Sequence, residues 1–303
     1  MHSSKDISMA AVGYMLLSTF SLSVTSVVIK LLGEVLSSDV LNAARFLFPS
    51  LILVPLFFAR RARFPTSRQW PFILLRGVSL MLSQVCFLYA ITHLSFFEAV
   101  VLFSTGPLFM AIFDMLLFRA KLSVMTISAI LCAFIGVMIQ AGGSGQGFAF
   151  SIATLIGLGA GLFNSASQLV MHGMVNNRLG PLSLNAWSLF IALLCALPFV
   201  NIANVDAVIV LLDWQVTGLL FLMGFTISMT QFNRSKAYQL ATSSSLLSPL
   251  IFTNLIFAFF WQQVLFDEPM EKQKALGLSV VVVACLMRSM EPWLKSKINE
   301  LAR

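Results

Sequence analysis

The sequence predicts an all-α integral membrane protein whose ten transmembrane helices form two inverted five-helix repeats. Three observations lead there. Of 303 residues, 58% are hydrophobic and 10% are charged, a balance that the surface of a water-soluble globule does not tolerate. Apolar runs, most of them about 17–25 residues and so enough to cross a ~30 Å hydrocarbon layer, recur ten times. Basic residues collect in alternate connections, and a glycine-rich midpoint divides the runs into two sets of five.

The first run, Met9–Leu32, is too long for a signal-peptide core and no small-residue cleavage site follows it, so it reads as the first helix. Val40–Ala59, Phe72–Thr92, Phe96–Phe118 and Leu122–Ala141 complete the first half. The bridge Gly142-Gly143-Ser144-Gly145-Gln146-Gly147 has no strand before it and lacks the spacing of a nucleotide cradle, which makes it a flexible linker. Phe148–Met174, Leu182–Val200, Val216–Ala237, Thr242–Phe266 and Ala275–Met287 form the second half. Because five is odd, the halves enter the membrane in opposite orientations, a design common among secondary transporters. The expected domain plan is a tail at 1–8, a first repeat at 9–141, the linker at 142–147, a second repeat at 148–290 and a tail at 291–303.

With a cytoplasmic N-terminus, the tails and even-numbered connections hold fourteen basic residues: Lys5, Arg60, Arg61, Arg63, Arg68, Arg119, Lys121, Arg178, Arg234, Lys236, Arg288, Lys295, Lys297 and Arg303. The odd-numbered connections hold only Lys272 and Lys274. That bias predicts a multi-pass protein of the cell (inner) membrane with both termini in the cytoplasm. The net charge of +7 then serves topology and contact with membrane lipids, and a nucleic-acid partner is excluded. Cys86, Cys132, Cys195 and Cys285 lie in apolar runs and read as packing residues. Three histidines without clustered partners give no metal site, and no cofactor is expected. Without a zinc motif, nucleophile elbow, nucleotide cradle or large extramembrane domain, the chain is not read as an enzyme. Oligomeric state has no signature in the sequence.

Within this frame the two halves share punctuation. Ala90, Pro107 and Phe118-Arg119-Ala120-Lys121-Leu122-Ser123 in the first half correspond to Ala237-Tyr238, Pro249 and Phe266-Asp267-Glu268-Pro269 in the second. Together with Val28-Ile29-Lys30-Leu31-Leu32, Leu41-Asn42-Ala43-Ala44-Arg45-Phe46-Leu47, Arg76-Gly77, Gly218 through Tyr238, and Pro249 through Pro269, these segments carry a resemblance. From about Met9 to Met290 the chain resembles the EamA-type ten-helix members of the drug/metabolite transporter superfamily. The resemblance implies secondary transport of a small polar metabolite, amino-acid-like or a derivative, with export as its direction. Ala120 departs from the acidic residue usual at its position, while Glu98 and Asp114 put carboxylates where small or apolar residues are commoner. Two alternatives stand beside that expectation: translocation of a lipid or lipid-linked substrate, and metabolite uptake or exchange. No ATP motif is present, so a proton or solute gradient is left to drive the cycle.

Ionisable residues inside spans cost several kcal/mol and persist with a partner or a water-filled cavity. Lys30, Arg45 and Glu98 share a depth near the outer ends of the first, second and fourth helices. Either Glu98 pairs with Lys30 or Arg45 as an outer gate, or the cations snorkel to the interface. Arg76 and Asp114 share a depth near the cytoplasmic side and form either a static bridge or a proton-exchanging inner gate. Asn164, Gln168 and His172 recur at i, i+4 and i+8 on the sixth helix, a polar stripe that lines the substrate cavity or bonds neighbouring helices. Gly157 and Gly161 beside them invite close helix approach. Ser104 with Pro107, and Ser245 with Pro249 and Asn254, put polar groups and helix breaks at mid-membrane, where repeat transporters bind solutes. Gln84, Tyr89 and Gln231 are further candidate contacts.

Overall fold

The computed structural model describes residues 9–118, 124–141, 151–176, 179–200, 213–240, 248–251, 253–266, 272–273, 275–284 and 286–287. Helices run through α1 (Met9–Gly33), α2 (Ser38–Ala59), α3 (Trp70–His93), α4 (Phe96–Phe103), α5 (Gly106–Phe118), α6 (Val124–Ala141), α7 (Ile152–Asn176) and α8 (Pro181–Ala196), which ends in a 3-10 turn, Leu197–Phe199. They continue through α9 (Trp214–Leu240), α10 (Ser248–Ile251), α11 (Thr253–Trp261) with a π-helical turn at Gln262–Phe266, and α12 (Ala275–Ala284). Among the described residues there is no strand. Six helices, α1, α2, α3, α7, α8 with its 3-10 turn, and α9, are long and apolar enough to cross a membrane.

The exterior is unlike that of a water-soluble protein, while the interior is mixed, with apolar clusters such as Ile91, Val100 and Leu102 buried alongside polar side chains. Leu51, Phe58, Leu75, Val85 and Phe225 face outward, while Ser18, Thr25, Arg45, Arg76, Asn185 and Arg234 are buried. An apolar exterior around polar helices matches hydrocarbon as the surrounding medium and marks a multi-pass membrane protein.

Local chemistry sets the helix ends. Pro71 opens α3 and Pro181 opens α8, where a missing N–H costs nothing. Ser95 and Glu98 form a reciprocal capping box at the start of α4, with Ser95 Oγ accepting the Glu98 N–H at 3.3 Å and a Glu98 carboxylate oxygen accepting the Ser95 N–H at 3.0 Å. The fourth span, expected as one helix over Phe96–Phe118, is two: α4 stops at Phe103 and α5 starts at Gly106. The break sits at Ser104-Thr105, which puts Pro107 in the first turn of α5, where its missing N–H has no intrahelical partner to lose. Thr105 Oγ1 donates to the Leu102 carbonyl at 2.6 Å and Ser165 Oγ to the Gly106 carbonyl at 2.6 Å, so hydroxyls take up carbonyls at the interruption. Pro49 and Pro55 lie inside α2 without ending it.

Two long crossings dominate the packing, α1 on α9 and α3 on α7, supported by α2 on α8, α3 on α8 and α2 on α9. α7 also meets α4 and α5, and α1 meets α10 and α11. Glycines close several of these contacts. A Cβ at Gly77 would stand 2.6 Å from Ile191 Cγ2, and one at Gly224 2.5 Å from Phe48 Cβ. A Cβ at Gly161 would meet Thr105 Oγ1 at 2.7 Å, and one at Gly136 the Gly277 carbonyl at 2.7 Å. Only glycine admits such approaches, the small-residue packing of membrane helices.

A buried arginine core as the candidate functional site

The polar core is built on α1, α2, α3, α8 and α9. A cavity of about 40 Å³ lies between them, bordered by Thr25, Arg45, Gln84, Thr230 and Gln231. That space holds about three waters, far less than the several hundred Å³ of a metabolite pocket. The helices around it must part before a metabolite can enter.

Arg45, 4% exposed, borders the cavity from α2. Its Nη2 donates to Gln84 Oε1, and its guanidinium lies 5.7 Å from the centre of the Phe87 ring. Among the described residues its Nε and Nη1 have no hydrogen-bond acceptor.

Arg76, 0% exposed, forms the second node. Its Nη2 donates to Asn185 Oδ1 at 2.9 Å and Gln231 Oε1 at 3.2 Å, with a weaker contact to Met171 Sδ at 3.4 Å; Nη1 reaches the Leu184 carbonyl at 3.4 Å. Asn185 Nδ2 donates in turn to Ser235 Oγ at 2.9 Å and the Gln231 carbonyl at 3.1 Å. Gln231 thus joins this network to the cavity wall. Gly77, next to Arg76, lets α8 come close enough to deliver Asn185. Arg234, 4% exposed on α9, repels Arg76 electrostatically, and its Nε and Nη2 have no acceptor.

α1 is fastened around the core by hydroxyls. Ser18 Oγ donates to the Thr230 carbonyl at 3.0 Å, Thr25 Oγ1 to Thr226 Oγ1 at 2.8 Å, and Thr19 and Thr253 share a hydrogen bond of 2.8 Å. Trp261 Nε1 donates to Ser23 Oγ at 3.2 Å.

Of the residues expected at the site, Gln84, Gln231 and Arg45 border the cavity. Asn164 and Gln168 do not: they lie on α7, with the Asn164 side chain against Gly106 at the start of α5 and Gln168 Nε2 3.5 Å from Asn164 Oδ1. Asn164 therefore faces the broken fourth helix, beside the contacts that Gly161 and Ser165 make with Leu102, Thr105 and Gly106. Ser104 is the buried last residue of the α4 turn. Asn254 is buried on α11. Tyr89 stacks on His93 with ring centres 4.1 Å apart and borders a separate outward groove of about 370 Å³ with Asn42, Val85 and Phe199.

Arg45 Nη2 is taken up by Gln84. Glu98 caps its own helix, and Lys30 Nζ donates to the Ile91 carbonyl at 3.2 Å. The described partners of Arg76 come from α7, α8 and α9; the Asp114 side chain lies outside the described residues, as do those of His172, Pro249 and Ser245. Arg234, counted from the sequence among the connections, is inside α9.

Sequence reading missed Asn185, Thr25, Thr230 and the internal position of Arg234. A signal for Asn185 existed. Leu41-Asn42-Ala43 recurs as Leu184-Asn185-Ala186, and each asparagine is the fifth residue of its helix, α2 or α8. The Ser and Thr run from Ser18 to Ser26 likewise marks the polar face of α1.

A model of the EamA-like transporter family matches residues 9–141 and again 151–290. The chain is 23% identical over 286 residues to the pseudopaline exporter CntI of Pseudomonas aeruginosa, covering 94% of this chain and 97% of that one. It is 27% identical over 201 residues to an uncharacterized transporter, YetK, of Bacillus subtilis, covering 63% of this chain and 61% of that one. A solved crystal structure with 14% identity superposes with a TM-score of 0.58 over 93% of this chain and 96% of its own, which shows a shared fold.

Proposed function

The chain belongs to the EamA-like transporter family, and from that premise we propose that it is a secondary active exporter of a small polar metabolite, amino-acid-like or a derivative, working by alternating access. Ten helices in two inverted halves carry the motion in this reading. The observation that carries it is reciprocal packing: α1 lies on α9 as α7 lies on α3, and α2 meets α9 as α8 meets α3. Exchange of the halves leaves this pattern unchanged, with α1 and α7 both 25 residues long and α3 and α9 both starting on tryptophan. Two equivalent arrangements around one central space are what a rocking carrier requires.

Gln84, Gln231 and Arg45 are the substrate contacts on this reading, with Arg76 and Asn185 holding Gln231 in position. Lys30 and Glu98 belong to the outer closure, and Asp114 and His172 are candidates for proton coupling. Ser104, Asn254 and Ser245 flank the helix breaks that move. The export direction is taken from the Pseudomonas relative, a pseudopaline exporter. The cytoplasmic location of both termini and residence in the inner membrane rest on the charge bias.

The groove beside Tyr89 favours one second reading. It is mostly apolar and opens where Leu82, Val85 and Phe199 are exposed, a shape suited to a lipid-linked substrate entering sideways.

Counterflow in proteoliposomes tests the proposal, with a panel of amino acids, sulfonium and opine-like derivatives and nucleosides, with and without a pH gradient. Accumulation of one solute class that Gln231→Leu abolishes supports the carrier. Activity only toward a substrate bearing a lipid headgroup moves the assignment to the second reading.

A further inference from the structure

We propose that the central cavity is an anion seat and that the transported metabolite presents a carboxylate to Arg45; this rests on the carrier reading above. Three guanidiniums, Arg45, Arg76 and Arg234, are at most 4% exposed inside the bundle. None has a carboxylate partner among the described residues. Uncompensated buried charge is retained where a ligand or a water-filled path makes use of it.

The three differ in how far they are already satisfied. Arg76 spends its Nη atoms on Asn185, Gln231, Met171 and Leu184, so it is a structural node. Arg234 does not border the cavity. Arg45 does, and it keeps Nε and Nη1 without an acceptor. Nη1 and Nη2 form the end that a guanidinium offers to the two oxygens of a carboxylate; Nη1 is unspent there and Nη2 is held by a neutral amide oxygen alone.

The rest of the wall fits an acid with a second polar group. Gln84 holds the Nη2 edge of Arg45 and fixes the plane of the fork. Thr25, Thr230 and Gln231 supply neutral polar groups across the same space. Among the described residues no carboxylate borders the cavity, so a cation would find no countercharge from them.

The test uses purified full-length protein in phosphatidylcholine liposomes, which carry no anionic headgroup. The probes are glutamate, succinate and N-(1-carboxyethyl)glutamate, each compared with the same skeleton amidated at every carboxyl, together with inorganic phosphate. Counterflow is measured for wild type, Arg45→Lys and Arg45→Gln, and the unfolding midpoint of the same proteins is measured with each probe. The expected result is counterflow of acids alone, reduced at least tenfold in Arg45→Gln and partly kept in Arg45→Lys. Equal counterflow of acids and amides overturns the anion seat and leaves the carrier standing. Acid counterflow with unchanged KM in Arg45→Gln overturns the role of Arg45. If nothing exchanges, the midpoints decide: a rise with the acids that Arg45→Gln lacks keeps the seat while the carrier reading falls, and no rise overturns the seat as well. A rise with phosphate alone assigns the seat to a phosphate or a lipid headgroup and overturns the carboxylate.

Discussion

Arg76 and Asn185 are joined across α3 and α8 by a 2.9 Å hydrogen bond from the guanidinium to the amide oxygen, and Asn185 carries that link on to Ser235 and Gln231 of α9. One amide therefore ties three helices to a buried charge. Truncating it leaves Arg76 short of an acceptor. Asn185→Ala is expected to lower stability by about 2–4 kcal/mol, read as a fall in the unfolding midpoint in detergent. Asn185→Asp, which restores an acceptor for Arg76, recovers most of that loss. An unchanged midpoint in the alanine variant would mean that the network carries no stability.

Gln84 is the acceptor for Arg45 Nη2. Hydrogen bonds to charged groups contribute about 1.5–3 kcal/mol, so Gln84→Leu is expected to reduce transport roughly 10- to 100-fold. Counterflow rates at matched protein density in the membrane measure this. Wild-type rates would remove Gln84 from the site.

Steric closure at the glycine crossings gives a prediction independent of transport. Gly77→Ala and Gly224→Ala each force a Cβ into contacts of 2.6 and 2.5 Å and are expected to destabilise by about 1–3 kcal/mol. Gly173 has nothing within 4 Å of its notional Cβ, so Gly173→Ala stays within about 1 kcal/mol of wild type. Equal midpoints for all three variants would contradict the close approaches.

Topology is tested by labelling. In a background without the four native cysteines, Ser37→Cys and Ser67→Cys put single thiols at exposed positions between α1 and α2 and between α2 and α3. The charge bias predicts that an impermeant maleimide reaches Cys at 67 only from the cytoplasmic side and Cys at 37 only from the other. The reverse pattern would invert the assignment.

The long helices are legible because their apolar residues outweigh the polar ones over a full span: the sequence predicts Met9–Leu32 where Met9–Gly33 is found, and Val40–Ala59 where the helix runs Ser38–Ala59. The interior was far less legible. Pro107 signalled a break, but one residue type does not say whether a helix bends at proline or restarts there, and it restarts. Arg76 reads as costly from the sequence, yet its partners lie 95 to 155 residues away on α7, α8 and α9, and periodicity within one helix carries no information about a neighbour. Arg234 was misread because it sits near the end of an apolar run, where sequence alone cannot separate a headgroup contact from a buried one. The Asn164 stripe shows the converse: a polar face is visible from spacing, whereas the helix it meets is chosen by Gly157, Gly161 and Ser165 against the fourth span.

The positive charge gathered around so small a cavity bears on leakage. Hydronium and sodium entering the bundle would meet Arg45 across a space of a few waters, with Arg76 and Arg234 also buried nearby in the same helices, an electrostatic barrier of the kind that keeps protons out of water pores. A carrier with such a barrier can change conformation many times without short-circuiting the ion gradients of its membrane.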